Sequence, residues 1–298
     1  MGITNNTNKI LKAFADHRDV TADAAARKKF ALNDGARLAE REYYICFTPR
    51  SGSSWLTDLL QKTKVMGNPG EWFNPDLLAN NLKRGYPCAN LREYIDYIRT
   101  RWASDNVFGC EMTWLHYNVL REALATDRIQ DRIDLRHHKV VYLWRNDLVA
   151  QAVSLHRAIS TRKFHSTQHD GSDGSDDKIP YPGEEIWKWM MHILQQEYGW
   201  RRYFRDHAIS YLSLSYEELC NSTALTISRI CQYVRGSERL SPTIEVSSGH
   251  AKMASDRSTS VAIDFYSRNA AKVEHCLEHR GSQDSAWFRR TIHLDSNR

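Results

Sequence analysis

The stretch Tyr43–Leu60, YYICFTPRSGSSWLTDLL, contains a strand, a tight turn and a helix in direct succession. Its first five residues are apolar and rich in aromatic side chains, as expected for a strand buried on both faces of a parallel sheet. Leu56, Leu59 and Leu60 then recur at helical spacing. Between them, small hydroxyl residues and one glycine let backbone N–H groups converge at the positive end of the helix dipole. The turn at residues 49–54 is therefore predicted to bind a tetrahedral anion such as phosphate or sulfate.

The length and charge of the chain limit its class. It has 298 residues and a formal net charge of +5, from 41 basic and 36 acidic side chains. This excess is too small and too dispersed for a nucleic-acid-binding protein, but it is compatible with a small polyanionic ligand. Because no linker divides the chain, we expect an N-terminal helical extension over residues 1–40 and a single domain over residues 41–298.

The cysteines and the apolar runs indicate the compartment. The six cysteines show neither CxxC pairs nor close spacing with histidine, so disulfides and zinc sites are poorly supported. The N-terminus lacks the apolar core of a signal peptide, and no apolar run approaches the ~18 residues that a membrane span requires. We therefore expect a cytoplasmic protein with buried thiols and no transmembrane segment.

Further strand and helix patterns alternate along the chain. Strands are predicted over residues 107–112, 138–144 and 209–214, and helices over residues 91–103, 148–159 and 187–204, with another helix that opens at Tyr216. This alternation is typical of an α/β fold with a central, mainly parallel sheet, flanking helices, and a ligand at the carboxyl ends of the strands. The Ser-, Gly- and Asp-rich segment at about 164–182 is predicted to be a mobile surface loop.

The turn at residues 49–54 lacks the GxxxxGK[ST] pattern of a P-loop, so no lysine is in place to reach a γ-phosphate. Five motifs instead follow one another: PRSGSS (49–54), GNPGEWFNP (67–75), FGCEMTW (108–114), YLWRNDLVAQAVSLHRA (142–158) and YLSLSYEEL (211–219). In this order the chain resembles the Stf0-type (trehalose 2-sulfotransferase-like) sulfotransferase family over residues 43–270. The first and fourth motifs are the most specific.

The resemblance implies a P-loop-like sulfotransferase fold. It also implies transfer of a sulfonate group from 3′-phosphoadenosine 5′-phosphosulfate (PAPS) to a hydroxyl of a carbohydrate or glycolipid, without a metal ion and with 3′-phosphoadenosine 5′-phosphate (PAP) as product. The turn residues would hold the 5′-phosphosulfate: Arg50, Ser51, Gly52, Ser53 and Ser54. Arg50 would also stabilise the charge that builds on the bridging oxygen.

Four later residues match the family's nucleotide-binding positions. By resemblance, Arg145 and Ser154 would hold the 3′-phosphate. Taken alone, each residue would favour a structural interpretation: a surface ion pair with Asp147 for Arg145, and a small residue in helix packing for Ser154. Lys252 and Arg257 resemble a late basic segment that closes over the nucleotide, or they are solvated surface charges.

A Pro-Gly turn places Glu71 on a loop, where the resemblance implies the general base. A positioned carboxylate of this kind contributes about 10²–10⁴ in rate. Alternatively, Glu71 caps the helix that begins near Phe73. Glu111 stands where we expect a basic residue in relatives, and it is either a second carboxylate near the acceptor or a salt-bridge partner. His116 is the alternative base, or a structural histidine.

Three aromatic residues near these carboxylates are candidates for stacking on sugar rings, or else belong to the core: Trp72, Phe73 and Trp114. Two other functions stay open on the residues alone. A kinase-like phosphoryl transferase shares the strand–turn–helix start but needs magnesium, and a non-enzymatic polyanion-binding protein would use the same cations without a saturable nucleotide site. A homodimer is plausible by resemblance, with the N-terminal extension as a surface for it.

Overall fold

The computed structural model describes residues 3–18, 29–32, 35–164, 179–236 and 256–281. Most of the predicted mobile loop, at residues 165–178, lies outside the described residues. Residues 19–28 of the predicted N-terminal extension lie outside them as well.

Four parallel strands form the sheet in the part of the chain that the structure describes, in the order β2–β1–β3–β4. They are β1 (Arg41–Phe47), β2 (Val107–Thr113), β3 (Lys139–Trp144) and β4 (Tyr211–Ser215). The apolar run at the start of the quoted stretch thus forms an inner strand, whose residues 43–47 are buried. The prediction of a mainly parallel sheet is confirmed.

Helices alternate with the strands, as the sequence pattern predicted. Their bounds are α1 (Ile3–Arg18), α2 (Ser53–Lys62), α3 (Pro75–Lys83), α4 (Leu91–Arg101), α5 (Trp114–Thr126), α6 (Leu148–Thr161), α7 (Gly183–Asp206), α8 (Tyr216–Asn221), α9 (Thr223–Arg235) and α10 (Asp256–Glu278). The last of these helices contains a kink at Asn269. None of the described helices is long and apolar enough to span a membrane.

Successive residues of β1 contribute to two cores, because side chains of a strand point alternately to opposite faces of a sheet. Tyr44 and Cys46 belong to one cluster, together with residues of α1, α3, α4, α5 and α7. Residues 43, 45 and 47 belong to a second cluster, with α2 and α9. Helices therefore cover both faces of the sheet. A third cluster joins α6, α7 and α10.

The N-terminal helix α1 is part of the first of these clusters. Ile10 is fully buried, and Phe14 packs edge-on against Tyr94 at 6.2 Å between ring centres. Lys9 also forms an ion pair with Asp76 of α3. Of the interpretations open for the extension, helical packing on the rest of the protein is the one found for α1.

Candidate active site

The turn between β1 and α2 has the backbone shape of an anion-binding loop. Gly52, immediately before the helix, has φ 88°, and the preceding Arg50 has φ 67°, so both lie in the left-handed region. The helix that follows has no side-chain cap, whereas Asn74 and Asn90 cap α3 and α4 through their side chains. An uncapped helix N-terminus suits an anion, because its N–H groups and dipole point to the same place.

Tyr216 closes one side of this turn. A Cβ atom on Gly52 would lie 2.7 Å from Cδ2 of the Tyr216 ring, so only glycine fits there. The guanidinium carbon of Arg145 lies 4.8 Å from the centre of the same ring, within cation–π range. Sequence reasoning treated Tyr216 only as the start of a helix. Its position directly after β4, at the carboxyl edge of the sheet, was the available signal.

Arg50 connects the turn to α6. Its Nε donates a hydrogen bond to Oγ of Ser154 at 3.1 Å, and its Nη1 donates to the carbonyl of Phe164. Burial, followed by the charges of Arg145 and Arg157, lowers the pKa of Arg50 to about 10. Three mutually repelling guanidinium groups at one place favour the binding of an anion among them. Arg157 was not predicted, because its helical position gave no sign that it faces Arg50.

A cavity of about 940 Å³ opens beside the turn. The predicted donor-site residues that line it are Arg50, Gly52, Ser53, Ser54, Arg145 and Ser154. Ser51 is fully buried, and its Oγ has no hydrogen-bond partner among the residues described. On another side the cavity is lined by α10, including Ser258 and Thr259. Its volume lies within the range typical of sites for small molecules and cofactors.

Arg257, one of the two predicted nucleotide-binding cations of the late segment, is not among the residues that line this cavity. Arg257 donates from Nη2 to the carbonyl of Ile179 at 2.9 Å, and its guanidinium lies 5.7 Å from the ring of Tyr181. Lys252 lies outside the described residues. The alternative ion pair of Arg145 with Asp147 is not found in the described ranges; the Asp147 carboxylate instead accepts from the N–H of Ala150 and caps α6.

Glu71 lies on the loop before α3, where its Oε2 accepts a hydrogen bond from Nδ2 of Asn74 at 2.9 Å. Nδ1 of His116 lies 3.4 Å from the same oxygen. About a quarter of each of these two ionisable side chains is exposed, 25% for Glu71 and 24% for His116. The helix cap is Asn74 and not Glu71, so the Glu71 carboxylate remains available for chemistry.

His116 is a weaker base than an ordinary histidine. Burial lowers its pKa below the usual value, although the charges of Glu71 and Asp76 oppose this. It is therefore neutral near pH 7. The backbone N–H of His116 donates to Oγ1 of Thr113 at 3.2 Å, which places the residue in the first turn of α5.

Glu111 lies near the carboxyl end of β2, opposite Ile45 of β1, and is only 6% exposed. Burial, followed by the charge of Glu71, raises its pKa to about 8, while hydrogen bonding from Ser53 acts in the other direction. In the described part of the chain Glu111 has no ion pair. The structure thus removes the salt-bridge interpretation and leaves a second carboxyl close to Glu71.

The packing corrects the expectation for the aromatic residues beside the carboxyl groups. Phe73 is fully buried in the core, so its ring has no face for a sugar. Trp72 is buried and stacks on Trp102 at 4.8 Å. Trp114 packs edge-on against Trp200 at 5.2 Å. Their apolar surface stabilises the fold, which was the other interpretation of these residues.

One group in the described ranges has the spacing of a metal site. His275, Glu278 and His279 carry ligand atoms that all lie within 4.8 Å of one another, at the C-terminal end of α10. None of these residues belongs to the predicted donor or acceptor sets.

Comparisons with known proteins agree with the motifs. The model of the Stf0 sulphotransferase family matches residues 42–269. The trehalose 2-sulfotransferase of Mycobacterium tuberculosis is 24% identical over 237 residues, which are 68% of this chain and 88% of the relative. That of Mycolicibacterium smegmatis is 25% identical over 234 residues, 67% of this chain and 86% of the relative.

A crystal structure of a sulfotransferase from Alicyclobacillus acidocaldarius is also similar. It is 13% identical, with a TM-score of 0.42, over 85% of this chain and 100% of that one. The family model covers most of the chain, and its first matched residues include the strand and turn that build the anion-binding loop. The chain therefore belongs to the Stf0 sulphotransferase family.

Proposed function

We propose that this protein transfers a sulfonate group from PAPS to a hydroxyl of a carbohydrate or glycolipid, with Glu71 as the general base. The observation that carries the proposal is the cavity of about 940 Å³ that brings the turn residues together with Arg145 and Ser154. The names of the two mycobacterial relatives support a sugar such as trehalose as the acceptor, free or as part of a glycolipid.

The residues present fit a donor with two anionic groups. The uncapped N-terminus of α2, together with Arg50, suits the 5′-phosphosulfate. Arg145 lines the same cavity, and its Nε has no hydrogen-bond partner among the described residues. The hydroxyl of Ser154 accepts a hydrogen bond from Arg50. Arg50 can therefore contact both the 5′-phosphosulfate site at the turn and the 3′-phosphate site at Ser154. PAPS, when bound, supplies the sulfonate group.

Glu71 is suited to remove the proton from the acceptor hydroxyl. Asn74 donates to one of its oxygens and fixes the orientation of the carboxylate. Because His116 is neutral near pH 7, it does not neutralise the charge of Glu71. Arg50 offers the positive charge that opposes the negative charge of the departing group. As the hydroxyl oxygen bonds to sulfur, its proton would move to Glu71, the bond between sulfur and the bridging oxygen would break, and PAP would leave with that oxygen.

Two measurements test the proposed reaction. Isothermal titration calorimetry with PAP should show a single saturable site, and isotope transfer from labelled PAPS to a panel of glycans and glycolipids should label a sugar. Absence of PAP binding contradicts the proposal. Activity that is lost with EDTA favours the kinase-like alternative, and binding that weakens steeply with salt without saturation favours a polyanion-binding protein.

The substitution Glu71→Gln tests the base. It should lower turnover by about 10²–10⁴, because the amide cannot take up the proton, and leave PAP affinity nearly unchanged. Glu122→Gln is the matched control, because Glu122 is an exposed residue of α5 that does not line the donor cavity. Unaltered turnover in Glu71→Gln would assign the base role to His116 or Glu111.

A further inference from the structure

Glu111 connects the two halves of the candidate site. Its backbone N–H donates to the carbonyl of Gly70 at 2.9 Å, and Gly70 also pairs with the adjacent Cys110, so Glu111 lies against the loop that carries Glu71. On the other side, its carboxyl accepts from Ser53, the first residue of α2 in the anion-binding turn. It is 6% exposed, and its Oε2 has no hydrogen-bond partner in the part of the chain that the structure describes. Such a buried polar oxygen, close to a site for two anions, requires an explanation.

A charged Glu111 would be costly at this position. Two carboxylates that share a buried site repel each other, so one of them holds a proton. The ionisable groups that face Glu111 are Glu71 on the base loop, Tyr43 of β1 and the adjacent Cys110. His116 of α5 faces Glu71 in turn.

None of these neighbours supplies a positive charge near neutral pH. Burial above all raises the pKa of Tyr43 and that of Cys110 well beyond their ordinary values, so both stay neutral. Burial also keeps His116 neutral, against the charges of Glu71 and Asp76. Glu71 is more exposed than Glu111 and accepts a hydrogen bond from Asn74, so the negative charge resides on Glu71.

We propose that Glu111 is a positioning residue that acts as a neutral carboxylic acid, so that Glu71 is the single ionised carboxyl beside the anion-binding turn. A neutral acid beside the turn does not repel an anionic donor. The part of this inference that concerns the donor rests on the proposed function.

The raised pKa of Glu111 sets the direction in which anion binding and stability change with pH. With a pKa of about 8 in the folded protein, Glu111 loses its proton as the pH rises through that value. The new negative charge beside Ser53 then weakens the binding of a phosphate or sulfate. In the unfolded chain the same carboxyl ionises near pH 4.5, so Glu111 also makes the folded state progressively less stable as the pH rises from about 4.5 to about 8.

The experiment compares the wild-type protein with Glu111→Gln, which imitates the protonated form, and with the control Glu122→Gln. PAP affinity is measured by calorimetry between pH 6.5 and 9, below the pKa of about 10 of Arg50 in the same site. We expect the affinity of the wild-type protein and of the control to fall by at least about threefold above pH 8, and that of Glu111→Gln to stay level. An equal fall in Glu111→Gln overturns the proposal.

A second measurement does not depend on the donor. The free energy of unfolding, from urea titrations between pH 5 and 9, should rise in Glu111→Gln relative to the wild-type protein as the pH increases. A difference that is the same at every pH overturns the neutral-acid role. If PAP fails to bind any of the three proteins at every pH, the proposed function fails, and the urea titrations still decide the state of Glu111.

Discussion

Gly52 gives the anion-binding turn its shape at the scale of a single residue. Its φ of 88° belongs to the region that glycine alone enters at little cost, and the ring of Tyr216 occupies the space of any Cβ atom. The turn and the aromatic residue after β4 therefore fit each other. A side chain at position 52 would displace Tyr216 and, with it, the guanidinium of Arg145 that lies over the ring.

The substitution Gly52→Ala should weaken PAP binding by about 5- to 150-fold, because the strained backbone and the displaced ring together cost on the order of 1–3 kcal/mol. Calorimetry with PAP measures the loss. Gly35→Ala is the control for backbone strain alone, since Gly35 has φ 81° and no atom within 4 Å of the added Cβ. Equal PAP affinity in both variants would show that the Tyr216 ring does not contribute to the binding of PAP.

The cavity residues that were predicted follow a strand or lie in the first turns of the helix after that strand. The roles of Arg50 and Arg145 were predicted from the family resemblance, and each residue lies within three positions of the end of a buried strand, at the edge where parallel strands present their carboxyl ends. Arg157 and Tyr216 were missed. Arg157 acts on Arg50 only because of the rotation of α6 about its axis. Tyr216 meets Gly52, a residue more than 150 positions earlier in the chain. Local sequence patterns encode neither of these facts.

Helix α1 contributes to the core although it lies outside the region that matches the family. It lies before residue 42, where the family match begins, and yet it packs against α3 and α5 and contributes Ile10 and Phe14 to the first core cluster. Helix α3 begins immediately after Asn74, the residue that holds Glu71. The extension thus supports the element next to the proposed base.

The substitution Phe14→Ala should lower the free energy of unfolding by about 3–5 kcal/mol, because it leaves a cavity in this cluster. Urea titration measures the change. Lys9→Ala on the same helix is the control, with an expected loss below about 1 kcal/mol, since Lys9 is 44% exposed and its partner Asp76 is 74% exposed. A negligible effect of Phe14→Ala would mean that α1 does not pack on the core in solution.

Element types were easier to predict than element ends. The inner strands were predicted because they are continuous apolar runs. A strand that is buried on both faces needs apolar side chains at nearly every position. The start of α7 was placed at Trp187, whereas the helix begins at Gly183, because its polar first turn carries no apolar periodicity.

At the scale of the whole molecule, Arg280 joins three distant parts of the chain. It forms a two-pronged ion pair with Glu197 of α7, with Nε to Oε2 at 2.9 Å and Nη2 to Oε1 at 2.6 Å. It also donates to the carbonyls of Arg145 and Asn146, which follow β3. The side chains are 6% and 3% exposed. The segment after α10 thereby fixes the backbone of a donor-site residue.

The substitution Glu197→Gln should lower the free energy of unfolding by about 3–5 kcal/mol, because it leaves the charge of Arg280 buried without its partner. PAP affinity should fall as well, since Arg280 contacts the carbonyl of Arg145. The control is Asp264→Asn, which breaks the pair of Asp264 with Arg268, 55% and 75% exposed, and should cost less than about 1 kcal/mol. Equal stability of the two variants in urea would contradict this role of Arg280.

This long-range ion pair could not be predicted. Arg280 lies in a polar segment, beyond residue 269 where the family match ends, and Glu197 lies in a helix that reads as an amphipathic surface element. Their pairing is a property of the tertiary fold alone. The predictions of a single domain, of a homodimer and of a cytoplasmic location stay predictions.

The position of Arg280 also bears on the order in which the protein folds during synthesis. The strands, the anion-binding turn and Glu197 all leave the ribosome before it, and N-terminal parts of a chain begin to fold first. A chain that ends before residue 280 contains the strands of the described sheet, while the buried carboxylate of Glu197 still lacks its cation. The backbone of Arg145 therefore gains its contact with Arg280 only after every one of these strands has been synthesised.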